Sequence, residues 1–114
     1  MHELGIIFEV INTVEDIAKE QGLTEIASIT LGVGEVSLVI PQYLRECWPA
    51  AVYKHPMFEK TELNIHVIPG EAKCSKCGTY FNIIQTEGYC PKCKSFDKEI
   101  ISGKEFLIEE ILAC

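Results

Sequence analysis

The sequence has no long hydrophobic run. Its longest apolar stretches, such as residues 4–8 and 36–41, are far shorter than the roughly 20 residues that cross a bilayer. It also has no basic N-terminal region followed by an apolar core, which is the pattern of a secretory signal. We therefore expect a soluble cytoplasmic protein, without membrane contact, whose thiols stay reduced.

Basic residues are scarce. The chain of 114 residues has 10 Lys and Arg against 17 Asp and Glu, which gives a formal charge of −7. Such a surface repels polyphosphate and argues against nucleic-acid binding. The acidity is uneven, because residues 1–69 hold ten acids and four bases whereas residues 70–114 hold seven and six. The acidic part, at −6, would attract a cation and a basic partner surface.

Motifs of catalysis are missing as well. The sequence has no nucleophile–base motif, no phosphate-binding loop and no internal repeat. We therefore expect a protein that is not an enzyme. Its composition, 47% hydrophobic and 24% charged, is that of an ordinary globular domain.

What is present is a pattern of helices and strands. Residues 3–21 predict an amphipathic helix, and Pro41 opens a second helix that should end near residues 53–55. Strands are predicted to about Gly34 and over residues 62–68. Apolar residues that recur at spacings of three or four form the stripe of the first helix: Leu4, Ile7, Phe8, Ile11, Val14 and Ala18.

A last strand is predicted over residues 106–112, although Glu109 and Glu110 break its alternation. We therefore expect an α/β (α+β) fold in which two helices pack on a three-stranded mixed sheet. Residues 70–103 interrupt this pattern, because they lack a long apolar period and are rich in cysteine, lysine and glycine. We expect two domains, residues 1–69 plus 104–114 and an inserted zinc-ribbon-like module over residues 70–103.

Four of the six cysteines form two Cys-x-x-Cys pairs, Cys74 with Cys77 and Cys90 with Cys93. In a small intracellular chain such pairs indicate a metal site rather than disulfides. Four thiolates close a tetrahedral site, which is typical of structural zinc that folds a segment too small to fold alone. Iron is the alternative ion, as in rubredoxin-type centres, but nothing else in the sequence indicates electron transfer.

The segment between the two pairs is predicted to hold a short hairpin over residues 79–84 that turns at Glu87 and Gly88. Cys47 should be a small core hydrophobe on the second helix, and Cys114 should be exposed. Four lysines near the ligands would offset the −2 charge of a zinc tetrathiolate: Lys73, Lys76, Lys92 and Lys94. A nucleic-acid-binding patch is the less favoured interpretation of these lysines, because no stacking array of aromatics lies beside them. A zinc-ribbon interaction or nucleic-acid-binding module is the alternative function.

The N-terminal Met1-His2-Glu3 offers a different kind of metal site. The Met1 amine, the amides of His2 and Glu3 and the His2 imidazole lie within chelating reach, and such nitrogen donors suit square-planar Ni²⁺ or Cu²⁺. If the first helix starts near Leu4, those amides have no intrahelical acceptor, so metal binding breaks no helix hydrogen bond. Binding should release protons and weaken as the pH falls.

Four sequence features together resemble the HypA/HybF family over essentially the whole chain. They are Met1-His2-Glu3-Leu4, the Gly-Val-Gly-Glu-Val-Ser segment at residues 32–37, the two Cys-x-x-Cys pairs, and Gly-Lys-Glu-Phe-Leu-Ile at residues 103–108. Members of that family are nickel metallochaperones for maturation of [NiFe]-hydrogenase. The resemblance implies a nickel domain of two helices and three strands with an inserted zinc domain. It implies transfer of Ni²⁺ through the GTPase HypB to the hydrogenase large-subunit precursor, and a role in urease maturation in some organisms.

Carried over to this sequence, the resemblance implies that His2 and the amides of His2 and Glu3 hold nickel. It implies that zinc is held by Cys74, Cys77, Cys90 and Cys93. Lys94 stands where some members have a histidine, and the zinc segment has none. The fourth nickel ligand stays open, with the Met1 amine, another group of residues 1–3 or water as candidates, and a monomer or weak homodimer is expected.

Two further histidines lie outside the predicted zinc segment. His66 alternates with apolar residues in a predicted strand, so its side chain should be exposed. His55 follows the predicted second helix and should be a side chain at the helix C-terminus. Both are expected to be structural rather than metal ligands.

Overall fold

The computed structural model describes residues 2–114, with His2 described by its backbone alone. No helix within this range is long and apolar enough to cross a bilayer. Residues 2–114 fold into two helices, a 3₁₀ turn at Pro56–Phe58 and six strands: α1 (His2–Glu20), β1 (Ile26–Gly34), α2 (Pro41–Val52), β2 (Glu62–Ile68), β3 (Glu71–Cys74), β4 (Tyr80–Asn82), β5 (Lys98–Ser102) and β6 (Phe106–Ala113).

The two helices begin close to their predicted positions. Helix α1 starts at His2, two residues earlier than Leu4, and α2 starts at Pro41 because proline needs no hydrogen-bond acceptor in the first turn. The apolar stripe of α1 is buried at Ile7, Ile11 and Val14. These side chains form one core with residues of α2 and β1.

The main sheet contains β2, β1 and β6 in that order. Strand β1 is central, parallel to β2 and antiparallel to β6, which confirms the predicted three-stranded mixed sheet. Ile29, Leu31 and Val33 are buried in the core that includes the helices. Pairing of β1 with β6 is irregular where Thr30 faces Glu110 but Leu31 faces Ile108, so Glu109 is the extra residue of a bulge.

The small sheet contains β4, β3 and β5, with β3 antiparallel to both neighbours. Strand β4 pairs with β3, which ends at Cys74, and not with a strand after the predicted turn, so the predicted hairpin is wrong in its pairing. The predicted turn is present, with positive φ at Glu87 and Gly88. Strand β5 was not predicted, because its five residues carry no clear alternation and its partner is distant in sequence.

The chain passes between the two sheets twice, near residues 68–71 and 102–106. At this junction Gly103 has φ +102° and lies so close to Gly70 that a Cβ on Gly103 would overlap the backbone. Gly34, at the end of β1, likewise packs on the Gly103 carbonyl. The amide of Val36 donates to the Gly103 oxygen at 2.8 Å, so both crossings lie against the end of β1.

Candidate metal centre

The fold brings the four predicted cysteines together. Their sulfur atoms all lie within 4.8 Å of one another, and the Cys74–Cys93 and Cys77–Cys90 sulfur distances are both 3.5 Å. A tetrahedral site with metal–sulfur bonds of about 2.3 Å has sulfurs about 3.8 Å apart, whereas a disulfide needs about 2.0 Å. The cluster therefore has the dimensions of a tetrathiolate metal site and not of two disulfides.

Tight turns at each Cys-x-x-Cys pair place the sulfurs. In the first turn the Cys77 amide points at the Cys74 sulfur at 3.5 Å, and in the second the amides of Lys92 and Cys93 point at the Cys90 sulfur at 3.4 Å. Such N–H donors stabilise negative charge on sulfur. Cys74 and Cys90 are buried, and with Ala72 and Phe81 they are the whole buried core of the small sheet. So small a core is typical of a fold that a metal stabilises.

The thiols differ in acidity. The Thr79 hydroxyl, 3.2 Å from the Cys77 sulfur, and the Thr79 amide lower the pKa of Cys77 to about 6. The Ser95 amide lowers the pKa of Cys93, but the neighbouring sulfurs of Cys74, Cys77 and Cys90 and the desolvation of the thiol together outweigh it and raise that pKa to about 11. Neighbouring thiols resist joint ionisation because thiolates at this spacing repel, and a divalent cation removes that repulsion. Thr79 and Ser95 were not predicted to support the site, although each lies two residues beyond a ligand.

Two lysines near the cluster, Lys73 and Lys98, lie beside aromatic rings. The Lys98 ammonium lies 3.4 Å from the centre of the Phe96 ring, and Lys73 lies 5.7 Å from that of Tyr80. Tyr89 packs at a tilt on Phe96 with ring centres 5.1 Å apart. Lys98 also donates to the Phe96 carbonyl, so this side chain is engaged locally.

The predicted nickel ligands lie at the start of α1. Because the helix begins at His2, the amides of His2 and Glu3 belong to its first turn and have no intrahelical acceptor. The Glu3 side chain is buried, with 6% exposure. Met1 and the His2 imidazole lie outside the described residues, so their part in a nickel site stays a prediction.

Both remaining histidines bond to carboxylates. His66 is exposed on its strand, as predicted. Its Nδ1 atom lies 2.9 Å from Oε2 of Glu109. His55, just beyond α2, places Nδ1 2.9 Å from Oε2 of Glu15 on α1. Within the described residues, the four-cysteine cluster is the one group of three or more His, Cys, Asp or Glu side chains arranged for a metal.

The two cysteines outside the cluster lie as expected. Cys47 is partly buried against the main core, and Cys114 is exposed. Neither approaches the four-cysteine group.

Comparison with known proteins gives one consistent result. Residues 1–113 match the family described as "Hydrogenase/urease nickel incorporation, metallochaperone, hypA". The chain is 33% identical to the hydrogenase maturation factor HypA of Chlorobium limicola, covering 97% of this chain and 95% of that protein. It is 34% identical to HypA of Dehalococcoides mccartyi, covering 97% and 92%.

Two solved structures share the fold. The solution structure of the Ni metallochaperone HypA from Helicobacter pylori has a TM-score of 0.67 and 21% identity, covering 97% of this chain and 96% of that one. A second solution structure of a HypA protein has a TM-score of 0.71 and 23% identity, covering 100% and 97%.

Proposed function

We propose that this chain, which belongs to the HypA family of nickel-incorporation metallochaperones for hydrogenase maturation, carries Ni²⁺ at its N-terminus. The proposal depends on one observation: α1 begins at His2. The amides of His2 and Glu3 are therefore free of helix hydrogen bonds and can become ligands without unwinding the helix. Together with the His2 imidazole they offer three nitrogen donors to a square-planar ion.

A carrier must also release its metal. Amide ligands give up Ni²⁺ when they are protonated, so a change of environment or a competing ligand opens the chelate. The excess of six negative charges on residues 1–69 attracts Ni²⁺ and a partner with a basic surface. We propose that the cargo passes in the cytoplasm through the GTPase HypB to the hydrogenase large-subunit precursor, or to urease.

Zinc is proposed for the four-cysteine cluster. The residues fit this ion, because the sulfur spacing suits a tetrahedron and all four positions are taken by protein. Bound there, zinc would supply structure and no chemistry. The proposed division is a nickel domain of residues 1–69 plus 104–114 and a zinc domain of residues 70–103.

A calorimetric titration with Ni²⁺ tests the nickel site. We expect His2→Ala to abolish binding while zinc content and fold stay unchanged. His66→Ala is the matched control, because it also removes an exposed imidazole but lies on β2. Equal nickel affinity in His2→Ala and the wild-type protein would contradict the proposal, as would a loss of nickel binding in His66→Ala.

A further inference from the structure

The first half of α1 lies at the end of the main sheet from which the chain leaves for the small sheet. Ile6 and Val10 of α1 line a surface groove with Phe106 and Ile108 at the start of β6. Phe106 pairs with Val33, one residue before β1 reaches the junction. The second half of α1 lies toward the opposite end, where Glu15 bonds His55 ahead of β2. The small sheet and the N-terminus of α1 therefore share one end of the molecule.

The two sheets have separate cores. The buried cluster of the main sheet and that of the small sheet have no residue in common. At the junction itself Gly34, Gly70 and Gly103 pack backbone against backbone, and the side chain of Val36 lies beside Gly70. With no shared buried core, the orientation of the small sheet depends on this backbone packing and on the hydrogen bonds that cross the junction.

Glu35 makes two of the side-chain hydrogen bonds at the junction, and the Ser102 hydroxyl of β5 donates a third to the Pro69 carbonyl at 2.8 Å. Glu35 follows β1, and its Oε1 atom accepts the Gly70 amide at 2.7 Å and the Asn82 side-chain amide at 3.2 Å. Asn82 ends β4 and donates its second N–H to Glu71 at 3.1 Å, so it is held on the small sheet. Of the side-chain to side-chain hydrogen bonds in residues 2–114, Glu35–Asn82 is the one that joins the two sheets.

We propose that Glu35 is a positioning residue that fixes the orientation of the small sheet, and with it the cysteine cluster, relative to the N-terminus of α1. The Oε1 atom of Glu35, which follows β1 of the main sheet, accepts hydrogen bonds from the Gly70 amide and from the Asn82 side chain. Both bonds are charge-assisted because the acceptor is a carboxylate. The inference rests on the proposed function in one respect: with Ni²⁺ at the N-terminus of α1, Glu35 sets how the cysteine cluster is oriented relative to that metal. The orientation itself is independent of nickel.

Residual dipolar couplings of the zinc-loaded full chain test this orientation. In the wild-type protein we expect the amides of the main sheet and of the small sheet to fit one alignment tensor. In Glu35→Ala we expect two different tensors, with the smaller order in the small sheet, while couplings within each sheet still fit the structure. Glu35→Gln keeps the oxygen that accepts both bonds, so it should retain the single tensor.

Glu59→Ala is the matched control, since it removes an exposed acid of the same charge away from the junction. A single wild-type tensor in Glu35→Ala would overturn the proposal. Two tensors in Glu59→Ala as well would also overturn it, because net charge rather than the hydrogen bonds would then set the orientation. Nickel titration of wild-type protein and His2→Ala, made separately, decides the proposed function, so the two failures are distinguishable.

Discussion

The carboxylate of Glu109 reaches His66 across the central strand of the main sheet. Its Oε1 and Oε2 atoms lie 3.1 and 2.9 Å from Nδ1 of His66, although the two residues are on opposite edge strands. The carboxylate passes over Gly32, and a Cβ there would overlap it. The bulge in β6 and the glycine of β1 together make this contact possible.

Loss of this pair should have a small effect on stability. The His66 side chain is 60% exposed, and exposed ion pairs contribute about 0–1 kcal/mol. We expect Glu109→Ala to lower the free energy of unfolding by less than about 1 kcal/mol in urea denaturation. A double-mutant cycle with His66→Ala isolates the pair. A coupling free energy of several kcal/mol would show that the exposed geometry is not the one in solution.

Removing one buried ligand should cost the metal and the small sheet together. Cys90 is fully buried and belongs to the four-residue core of that sheet. In Cys90→Ser we expect metal analysis to show loss of zinc and NMR spectra to show loss of dispersion for residues of β3, β4 and β5 only. Cys114→Ser is the control and should keep both metal and spectrum. Iron in the purified wild-type protein would contradict the choice of zinc.

Nickel binding should depend steeply on pH. If two amides lose protons on binding, each unit of pH decrease weakens apparent affinity by about 100-fold while those protons are released. Calorimetry in buffers of different ionisation enthalpy counts the protons. Binding without proton release would exclude amide ligands. A Gly-Ser prefix before Met1 that leaves affinity intact would exclude the Met1 amine as an essential ligand.

Glu105 should stabilise the fold only above the acid range. Its own amide and that of Gly103 hold the pKa of this carboxyl below its usual value of 4.5. A lowered folded-state pKa adds stability above the unfolded value, and this stability is lost as pH falls through the folded value. We expect Glu105→Gln to lower the urea midpoint at pH 6, and we expect its difference from the wild-type midpoint to shrink as the pH falls below 4.5. A constant difference across this range would contradict the assignment, and Glu20→Gln serves as an exposed control.

Local patterns in the chain were sufficient for the helices and for the main sheet. Helix α1 follows from a stripe with the 3.6-residue period, and β2 spans the predicted residues 62–68 because alternation there is clean. The small sheet was predicted poorly because its strands lack such a periodic pattern. Strands β4 and β5 are three and five residues long, too short to show a period, and β5 pairs with a strand that is distant in sequence.

One part of the candidate metal centre could be predicted from the sequence and another part could not. Spacing alone predicted that Cys74, Cys77, Cys90 and Cys93 meet, because two Cys-x-x-Cys turns have few other uses in such a chain. Spacing did not indicate that Thr79 lowers the pKa of Cys77, since that effect needs a hydroxyl at 3.2 Å from the sulfur.

The sequence by itself determined which residues form the helices, the central sheet and the four-sulfur cluster, because short-range periodicity and ligand spacing encode these features. Tertiary structure alone decided which side chains the carboxylates of Glu35 and Glu109 contact. Glu35 and Asn82 are 47 residues apart, and His66 and Glu109 are 43 apart. No local pattern links residues at such separations; they meet because β1 ends at a glycine junction in one case and because β6 bulges over Gly32 in the other.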